Sequence, residues 1–403
     1  MRQVGKLEHL RFGSLRCCRD GKVRELLDES RPAVSIIIAL ERKNEESISC
    51  FHSVLEQTFT DYELLIVDAG ASERTKAFYS EMRKRVSEPF KYIVGKSQNK
   101  TAMLNEAIAI AKGTYLLFLN DCDSLRFDGL SILYDSITQN NGDFAYSAYR
   151  DFYYFDNGKH SYTVGAKKLQ SGVSVEDAPW VLRNAGFSET GKLYSKELVV
   201  GNGIQFSEDY GSFSGFAFLK ECQLNSHSTV SVSHSIYNRR ENAEEADVDF
   251  MMGQRASSFP STMDHLLDVC DSLELGDGVK KELMGSAKSL FNRFAYLRLS
   301  QRALEEDVQA FDVYYDYIVR NDPSWRSTLC AVSPYSGIAG KVQRRIVTRK
   351  KLLKSLLFGD AKRLHGELMP KKKRGHVFGH TKKRDDGILA EQRSRILSET
   401  GSD

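Results

Sequence analysis

The chain has 403 residues, of which 41% are hydrophobic and 28% charged, and its formal net charge is +3. Because that length exceeds one ordinary domain, we expect a main domain of roughly two hundred residues plus appended pieces. Charges run through residues 1–25, and no later run approaches the ~20 apolar residues of a membrane span, so we expect neither a signal peptide nor a transmembrane protein.

The seven cysteines are an odd number without CxxC spacing, which argues against a disulfide framework. They are typical of reduced thiols in a cytosolic protein. We therefore expect a cytoplasmic protein, which could also be attached to the inner face of the cell membrane.

Four apolar runs of strand length alternate with helical patterns early in the chain. The runs are Ala33 to Leu40, Glu63 to Val67, Lys91 to Val94 and Gly113 to Leu125. The segments between them carry apolar residues at the helical spacing of three and four, and we interpret Gly113 as the residue that ends the third helix. Strands alternating with helices predict a parallel sheet with right-handed crossovers.

Beyond Leu125 the pattern changes. Asp143 to Phe155, an Asn157-Gly158 turn and Ser161 to Val164 predict a hairpin, and Val230 to Asn242 alternates like a strand. From Met263 helical spacing dominates. We therefore predict an α/β fold with four regions, namely an extension at 1–31, a main domain at 32–245, a helical module at 246–335, and a basic amphipathic segment with a disordered tail at 336–403.

The run from Gly113 ends abruptly in polar residues, among them Asp121 and Asp123. Open α/β sheets bind ligands outside the carboxyl ends of their strands. Two carboxylates one residue apart can hold Mg²⁺ or Mn²⁺ together with phosphate oxygens. A solvated loop or a helix cap would give the same short pattern, so the motif alone leaves both interpretations open.

The order of several motifs favours the metal-binding interpretation. The motifs are Val34-Ser35-Ile36-Ile37-Ile38-Ala39, Ser53-Val54-Leu55-Glu56-Gln57-Thr58-Phe59, Glu63-Leu64-Leu65-Ile66-Val67-Asp68-Ala69-Gly70 and Leu104-Asn105-Glu106-Ala107-Ile108, followed by the run that begins at Gly113. Together they resemble the inverting GT-A glycosyltransferases of family 2, which make bacterial capsular, exopolysaccharide and teichoic-acid glycans from nucleotide-sugars. The resemblance covers about residues 33–245 and implies a GT-A fold with a mostly parallel central sheet, followed here by the helical module.

The resemblance also implies roles for individual residues. The donor would be a nucleotide-sugar, with a UDP-sugar expected, and the cofactor a divalent metal, Mn²⁺ or Mg²⁺. The residues expected to bind the nucleotide-sugar are Ala39, Leu40, Glu41, Asp68, Lys100, Asn105, Asn120 and Asp121. Asp68 could instead cap the turn into the next helix, and Lys100 could be solvated.

Two registers are open for the metal-binding motif. One makes Asp121-Cys122-Asp123 the Asp-x-Asp, and the other places Asn120 and Cys122 on those positions with Asp123 as the final Asp. Asp123 is the expected metal ligand in both, and Asp121 in the first. Cys122 is a poor ligand for a hard cation.

The acidic pair Glu208 and Asp209 resembles the family's pair at the mouth of the acceptor site. Inversion requires a carboxylate that takes the proton of the acceptor hydroxyl. We assign this role to Asp209, with Glu208 as its neighbour or substitute, on a glycan or lipid-linked acceptor. The other interpretation is a helix that begins with acidic residues.

The segment from Lys341 to Leu357 alternates basic and apolar residues. Such a helix could lie on an anionic membrane surface or pack its Leu face on the domain. We expect no nucleic-acid binding, and the helical module could support an oligomer. A second function also remains open, that of a catalytically weak GT-A protein that binds nucleotide-sugar or acts as a scaffold. It remains open because Ala69, Asn120 and Cys122 depart from the family pattern.

Overall fold

A nine-stranded sheet is the centre of the molecule as the structure describes it. The structure is a computed structural model, and it describes residues 31–40, 46–68, 73, 76–77, 79–81, 90–94, 99–155, 158–166, 169, 172–242, 256–299, 313–314, 316–323, 329–330 and 346–347. All of these belong to one compact unit, which extends over Met1–Leu368.

Four parallel strands form the first half of the sheet. They are β1 (Val34–Leu40), β2 (Tyr62–Asp68), β3 (Phe90–Val94) and β4 (Tyr115–Asn120). Their order is β3-β2-β1-β4, and every pair among them is parallel. The predicted strands are therefore confirmed, with ends shifted by a few residues.

Helices cover both faces of this half, which explains the nearly continuous apolar runs. Helix α1 (Glu46–Leu55) packs through Phe51 and Val54 against the face of β1 that carries Ile36 and Ile38. Helix α2 (Lys100–Ile110) packs through four buried residues, Met103, Leu104, Ala107 and Ile108, against the opposite face. Because successive residues of β1 alternate between the two clusters, all seven of its side chains are buried.

Gly113 has a different role from the predicted one. Helix α2 ends with Ala111 as its C-cap in an extended conformation, so Gly113 is not the capping residue. A Cβ atom at Gly113 would lie 2.4 Å from the backbone nitrogen of Ser35. Glycine is required here because the chain passes directly over the start of β1 as it enters β4.

The second half of the sheet is mixed. Its elements are β5 (Ser124–Leu125), α3 (Gly129–Gln139), β6 (Phe144–Phe155), β7 (Gly158–Val164), α4 (Val181–Asn184), β8 (Leu193–Ser195), α5 (Lys196–Gly201), a 3₁₀ helix (Glu208–Phe213), α6 (Ser214–Asn225) and β9 (Thr229–Asn242). The order continues β4-β8-β6-β9-β5, and β7 pairs with β6. The β6–β7 pairing and the long β9 strand confirm the predicted hairpin and the predicted strand.

The C-terminal helices share one core with the middle of the chain. Helix α7 (Ser258–Ser272) and helix α8 (Asp277–Leu299) bury Met263, Leu266, Leu283 and Leu290. These side chains belong to the same cluster as Val181, Leu182, Phe213 and Phe216 from α4, the 3₁₀ helix and α6. Helical residues within 313–321 add Tyr314 and Ile318 to that cluster.

Two short strands, β10 (Leu329–Cys330) and β11 (Ile346–Val347), pair antiparallel. Within the segment 341–357 only Ile346 and Val347 are described, so the predicted basic helix does not include these two residues. Its remaining residues lie outside the described part of the chain, and membrane attachment stays a prediction. Among the described cysteines, Cys50, Cys122, Cys222 and Cys270 are buried thiols that form no disulfide.

Candidate active site

Most of the residues predicted to bind the nucleotide-sugar lie at one edge of the sheet. Strand β1 lies between β2 and β4, with Leu40 paired to Asp68 and Ala39 paired to Asn120. These pairings bring the carboxyl ends of three parallel strands together, which is where open α/β sheets bind ligands. Glu41, the next residue after β1, lies outside the described residues.

The side chains of Ala39 and Leu40 are buried in the core on either side of β1. Any contact that these two residues make with a ligand must therefore use their backbone groups. Asp68 is different because it is a carboxylate at the last position of its strand, and its side chain is 5% exposed. Ionised carboxylates are rarely buried without a structural or functional reason, so Asp68 remains a candidate for the nucleotide.

Lys100 and Asn120 contact each other across this edge. Nζ of Lys100 donates a hydrogen bond to Oδ1 of Asn120, with a nitrogen–oxygen distance of 3.2 Å. Lys100 is the first residue of α2, and Asn99 caps that helix by accepting a hydrogen bond from the backbone nitrogen of Thr101. A helix N-terminus and a lysine ammonium therefore lie together beside the end of β4, an arrangement that favours an anion.

The carboxylates of Asp121 and Asp123 are both buried, with exposed fractions of 1%. The chain turns tightly between β4 and β5, because the backbone nitrogen of Asp123 donates to the carbonyl of Asn120 over 3.1 Å. A buried carboxylate is costly unless it is hydrogen-bonded or neutralised. At Asp123 the Tyr237 hydroxyl donates a hydrogen bond to Oδ2, and Sγ of Cys122 lies 3.8 Å from Oδ1.

Tyr237 makes a contact with Asp123 that the sequence interpretation did not predict. It lies on β9, 114 positions from Asp123, and reaches it because β5 pairs with β9, with Leu125 opposite Tyr237. Its hydroxyl oxygen is also 2.7 Å from Oγ1 of Thr190. Burial, and then the nearby charge of Asp123, raise the pKa of Tyr237 well above its usual value, so the hydroxyl keeps its proton and acts as a donor.

The oxygen atoms at the end of β4 fit a metal site in which the protein supplies only part of the ligands and the substrate supplies others. No group of three or more His, Cys, Asp or Glu residues within the described ranges could hold a metal ion. Asp121 and Asp123 instead supply hard oxygen donors on one short turn. Mg²⁺ and similar ions in nucleotide enzymes commonly take one or two protein carboxylates and complete their coordination with substrate phosphates and water.

Glu208 and Asp209 begin the 3₁₀ helix and are both exposed. Ser207 caps this helix, since its side chain accepts a hydrogen bond from the backbone nitrogen of Asp209 over 3.2 Å. At Gly211 the backbone takes φ 49° and ψ −124°, a kink that redirects the chain into α6. The sequence interpretation of an acidic helix start is therefore correct as geometry, and it leaves Asp209 accessible to solvent.

Asn105 makes contacts other than those predicted. Its amide nitrogen donates to the carbonyl of Phe206 over 2.8 Å, and its oxygen accepts from the nitrogen of Phe206 over 2.9 Å. Both polar atoms of the side chain are thus used to hold the backbone that leads into the 3₁₀ helix. We therefore reinterpret Asn105 as a residue that positions Glu208 and Asp209, and its contact with the nucleotide-sugar stays untested.

The segment 186–192 lies beside this site and is held by buried polar side chains. Lys192 donates to the carbonyls of Ser188 and Thr190, and the Tyr194 hydroxyl donates to the carbonyl of Glu189 over 2.7 Å. Lys220, fully buried on α6, donates to the Gly186 carbonyl over 3.0 Å. Burial lowers the pKa of Lys220 well below its usual value.

Sequence periodicity could not identify these side chains. Lys220 occupies an ordinary helical position. It donates to the carbonyl of Leu182 in α4, to the carbonyl of Gly186 just after α4, and to the side chain of Gln223 one turn away. The sequence does show two glycines, Gly186 and Gly191, on either side of a short stretch with polar residues. In the structure both glycines have positive φ. Such glycines mark a chain that bends sharply, but they do not reveal what it approaches.

Within the described residues, no helix is long and apolar enough to cross a membrane.

Three comparisons with known proteins agree with this geometry. Residues 35–199 match the family model described as Glycosyl transferase family 2. Glycosyltransferase GlyG of Streptococcus pneumoniae serotype 4 is 22% identical over 185 residues, which are 43% of this chain and 60% of GlyG. Glycosyltransferase GlyA of the same organism is 23% identical over 218 residues, 51% of this chain and 30% of GlyA. The chain thus spans less than two thirds of the length of either relative.

The fold is similar to that of S. aureus TarS. The crystal structure of TarS 1-349 in complex with UDP-GlcNAc superimposes with a TM-score of 0.55 at 17% sequence identity, covering 82% of this chain and 89% of that one. The four parallel strands and the polar residues at their carboxyl ends all lie within the residues that the family model matches or directly precede them. Residues 35–199 therefore resemble a glycosyltransferase family 2 domain, and the described part of the chain has a GT-A-like fold.

Proposed function

We propose that this protein transfers a sugar from a nucleoside-diphosphate donor to a hydroxyl group of a glycan or lipid-linked acceptor, with inversion and with the help of a divalent metal. The observation that carries the proposal is the convergence of Asp68, Lys100, Asn120 and the turn with Asp121 and Asp123 at one edge of the sheet. A nucleoside diphosphate has a base and ribose to be recognised and a diphosphate to be neutralised, and this edge offers groups for both.

The donor side would be divided between two sets of groups. Asp68 and the backbone at Ala39 and Leu40 lie where a base and ribose can donate hydrogen bonds. Lys100, at the N-terminus of α2, supplies positive charge for the diphosphate. A UDP-sugar is the donor that we propose, supported by TarS, which was crystallised with UDP-GlcNAc.

Asp121 and Asp123 would hold the cation, Mn²⁺ or Mg²⁺. Bound there, it would offset the negative charge that develops on the departing diphosphate. The two open registers of the motif share Asp123, which is also the carboxylate that Tyr237 holds. Asp123 is therefore the ligand that we consider essential.

The chemical step needs no covalent nucleophile. Asp209 accepts the proton of the acceptor hydroxyl as that oxygen bonds to the anomeric carbon. The bond between the anomeric carbon and the diphosphate breaks on the opposite face, and its electron pair leaves with the nucleoside diphosphate, which inverts the configuration. The exposure of Asp209 supports this role, because the acceptor must approach from solvent.

Helix α2 connects the two sides of the proposed reaction centre. Lys100 at its start contacts Asn120 at the end of β4, and Asn105 in its second turn holds Phe206, which lies just before Glu208 and Asp209. One rigid element therefore sets the spacing between donor and base. Rigid positioning of this kind is a main contribution of an enzyme to a reaction between two substrates.

The cellular role that we propose is synthesis of cell-envelope or extracellular polysaccharide at the inner face of the membrane. Its support is the resemblance of the ordered motifs in residues 33–125 to enzymes that make such glycans. The membrane-attachment part depends on the segment 341–357, whose basic and apolar residues suit an anionic surface.

The proposal can be tested with the purified full chain and a panel of UDP-, GDP-, CDP- and dTDP-sugars. We expect release of nucleotide from one donor class, dependent on Mn²⁺ or Mg²⁺ and abolished by a chelator. The scaffold alternative predicts that no donor is consumed under any of these conditions. Binding of UDP without release, measured by calorimetry, would support that alternative instead.

A further inference from the structure

We propose that Tyr237 is a positioning residue for the metal site, which holds the Asp123 carboxylate in place from β9, and that Thr190 and Gly191 fix Tyr237 in turn. This inference rests on the proposed function, since it concerns the carboxylate that we assign to the metal. It adds a residue from a different strand and a loop that the sequence motifs did not predict.

The first observation is a chain of hydrogen-bonding groups that is shielded from water. The Tyr237 hydroxyl donates to Oδ2 of Asp123 and lies 2.7 Å from Oγ1 of Thr190, which is itself 2.9 Å from Oγ of Ser188. The exposed fractions of Asp123, Tyr237 and Thr190 are 1%, 3% and 1%. Water competes little for these groups, so each contact has a defined geometry.

The second observation is steric. Gly191 lies against the face of the Tyr237 ring, where a Cβ atom would be 2.5 Å from two ring carbons. Gly191 has φ +69°, and its backbone nitrogen donates to the Phe118 carbonyl of β4 over 2.9 Å. The loop is therefore anchored to the same strand that carries the metal-site turn. Only glycine allows this approach, and the approach leaves the ring little freedom to swing away from Asp123.

The third observation concerns the chain around Asp123. The two residues that follow it form β5, which pairs with β9 at Ser124–Asn238 and Leu125–Tyr237. Backbone pairing and the side-chain hydrogen bond thus join the same two segments. A hydrogen bond to one oxygen restricts rotation of the carboxylate, so the proposed ligand is oriented before a cation binds.

The consequence for metal binding is specific. Residues that hold a metal ligand in place typically change metal affinity by about 10- to 100-fold when they are removed. Loss of the Tyr237 hydroxyl should therefore weaken Mn²⁺ binding without removing a ligand. A purely structural role would instead lower thermal stability and leave Mn²⁺ affinity unchanged.

The experiment measures Mn²⁺ binding to the full chain in the presence of UDP, by electron paramagnetic resonance of the free ion. We expect Tyr237→Phe to weaken Mn²⁺ binding by about 10-fold or more. Thr190→Val, which removes the second contact, should weaken it less, and Thr190→Ser should restore it. Tyr146→Phe is the matched control, since it removes another buried tyrosine hydroxyl, one that donates to Asn184 over 3.1 Å. We expect it to bind Mn²⁺ like the wild type.

Each outcome decides the matter. Wild-type Mn²⁺ affinity in Tyr237→Phe would overturn the inference, whatever the thermal midpoint. If Tyr237→Phe does not fold, equal affinities in Thr190→Val and Thr190→Ser would overturn it. Absence of Mn²⁺ binding by the wild type would overturn both the inference and the metal-assisted function. Mn²⁺ binding without nucleotide release from any donor would overturn the proposed function alone.

Discussion

Two pairs of carboxylates serve the proposed site, and they are held in opposite ways. Asp121 and Asp123 lie on a tight turn after β4, buried, with Asp123 hydrogen-bonded by Tyr237. Glu208 and Asp209 lie at the start of a 3₁₀ helix, exposed, and Ser207 is the side chain that bonds the Asp209 backbone. The first pair lies on the turn between two strands of the sheet, whereas the second is attached to helix α2 through Phe206 and Asn105.

The difference matches the demands of the two roles. A metal ligand must keep one geometry while nucleotide and sugar come and go, so a buried, hydrogen-bonded carboxylate suits it. A general base must contact an acceptor that arrives from solvent, so exposure is an advantage. Hydrogen bonds to the backbone just before the base are sufficient to position it. Substitutions in the first region should therefore impair Mn²⁺ binding, whereas those in the second should lower kcat and leave Mn²⁺ binding intact.

The largest effect should come from Asp123→Asn. This isosteric change removes a charged ligand, and we expect Mn²⁺-dependent transfer to fall by ~10³-fold, with loss of Mn²⁺ binding in the presence of UDP. Circular dichroism should show a folded protein. Asp121→Asn tests the register of the motif, because a comparable loss would identify Asp121 as a second ligand. Transfer at the wild-type rate in Asp123→Asn would remove this residue from the metal site.

Asp209→Asn should have the next largest effect. We expect kcat for transfer to fall by about 10²-fold or more because the acceptor proton has no base, while Mn²⁺ and UDP still bind. The matched control is Glu208→Gln, which changes the neighbouring exposed carboxylate and should lower kcat by only about 3-fold. The reverse order of the two effects would make Glu208 the base.

Asn105→Ala should have a smaller effect of a third kind. Without the Asn105 amide, the Phe206 backbone loses two hydrogen bonds. We expect kcat to fall by about 10-fold because the 3₁₀ helix shifts relative to the donor. The control is Asn202→Ala, which removes an amide that donates to the Leu198 carbonyl on α5. If Asn105→Ala instead raised the KM for the donor and left kcat unchanged, the direct nucleotide-sugar contact first predicted for Asn105 would be supported.

The sequence determined the four parallel strands and the edge of the sheet at which the candidate site is proposed. The apolar runs of β1, β2 and β4 are continuous because these strands are covered on both faces. Such runs can be recognised from the sequence alone. Asp68, Asn120, Asp121 and Asp123 follow directly, since polar residues at the ends of adjacent parallel strands must meet at one edge.

The tertiary structure alone decided how that site is supported. Tyr237, Thr190 and Gly191 approach Asp123 from distant positions, and nothing in their local spacing indicates a contact that depends on β5 pairing with β9. The same is true of Asn105, whose amide partners lie 101 positions away. Periodicity reports which face of an element is buried, whereas a hydrogen bond between distant segments depends on how those elements pack, so only the folded chain reveals it.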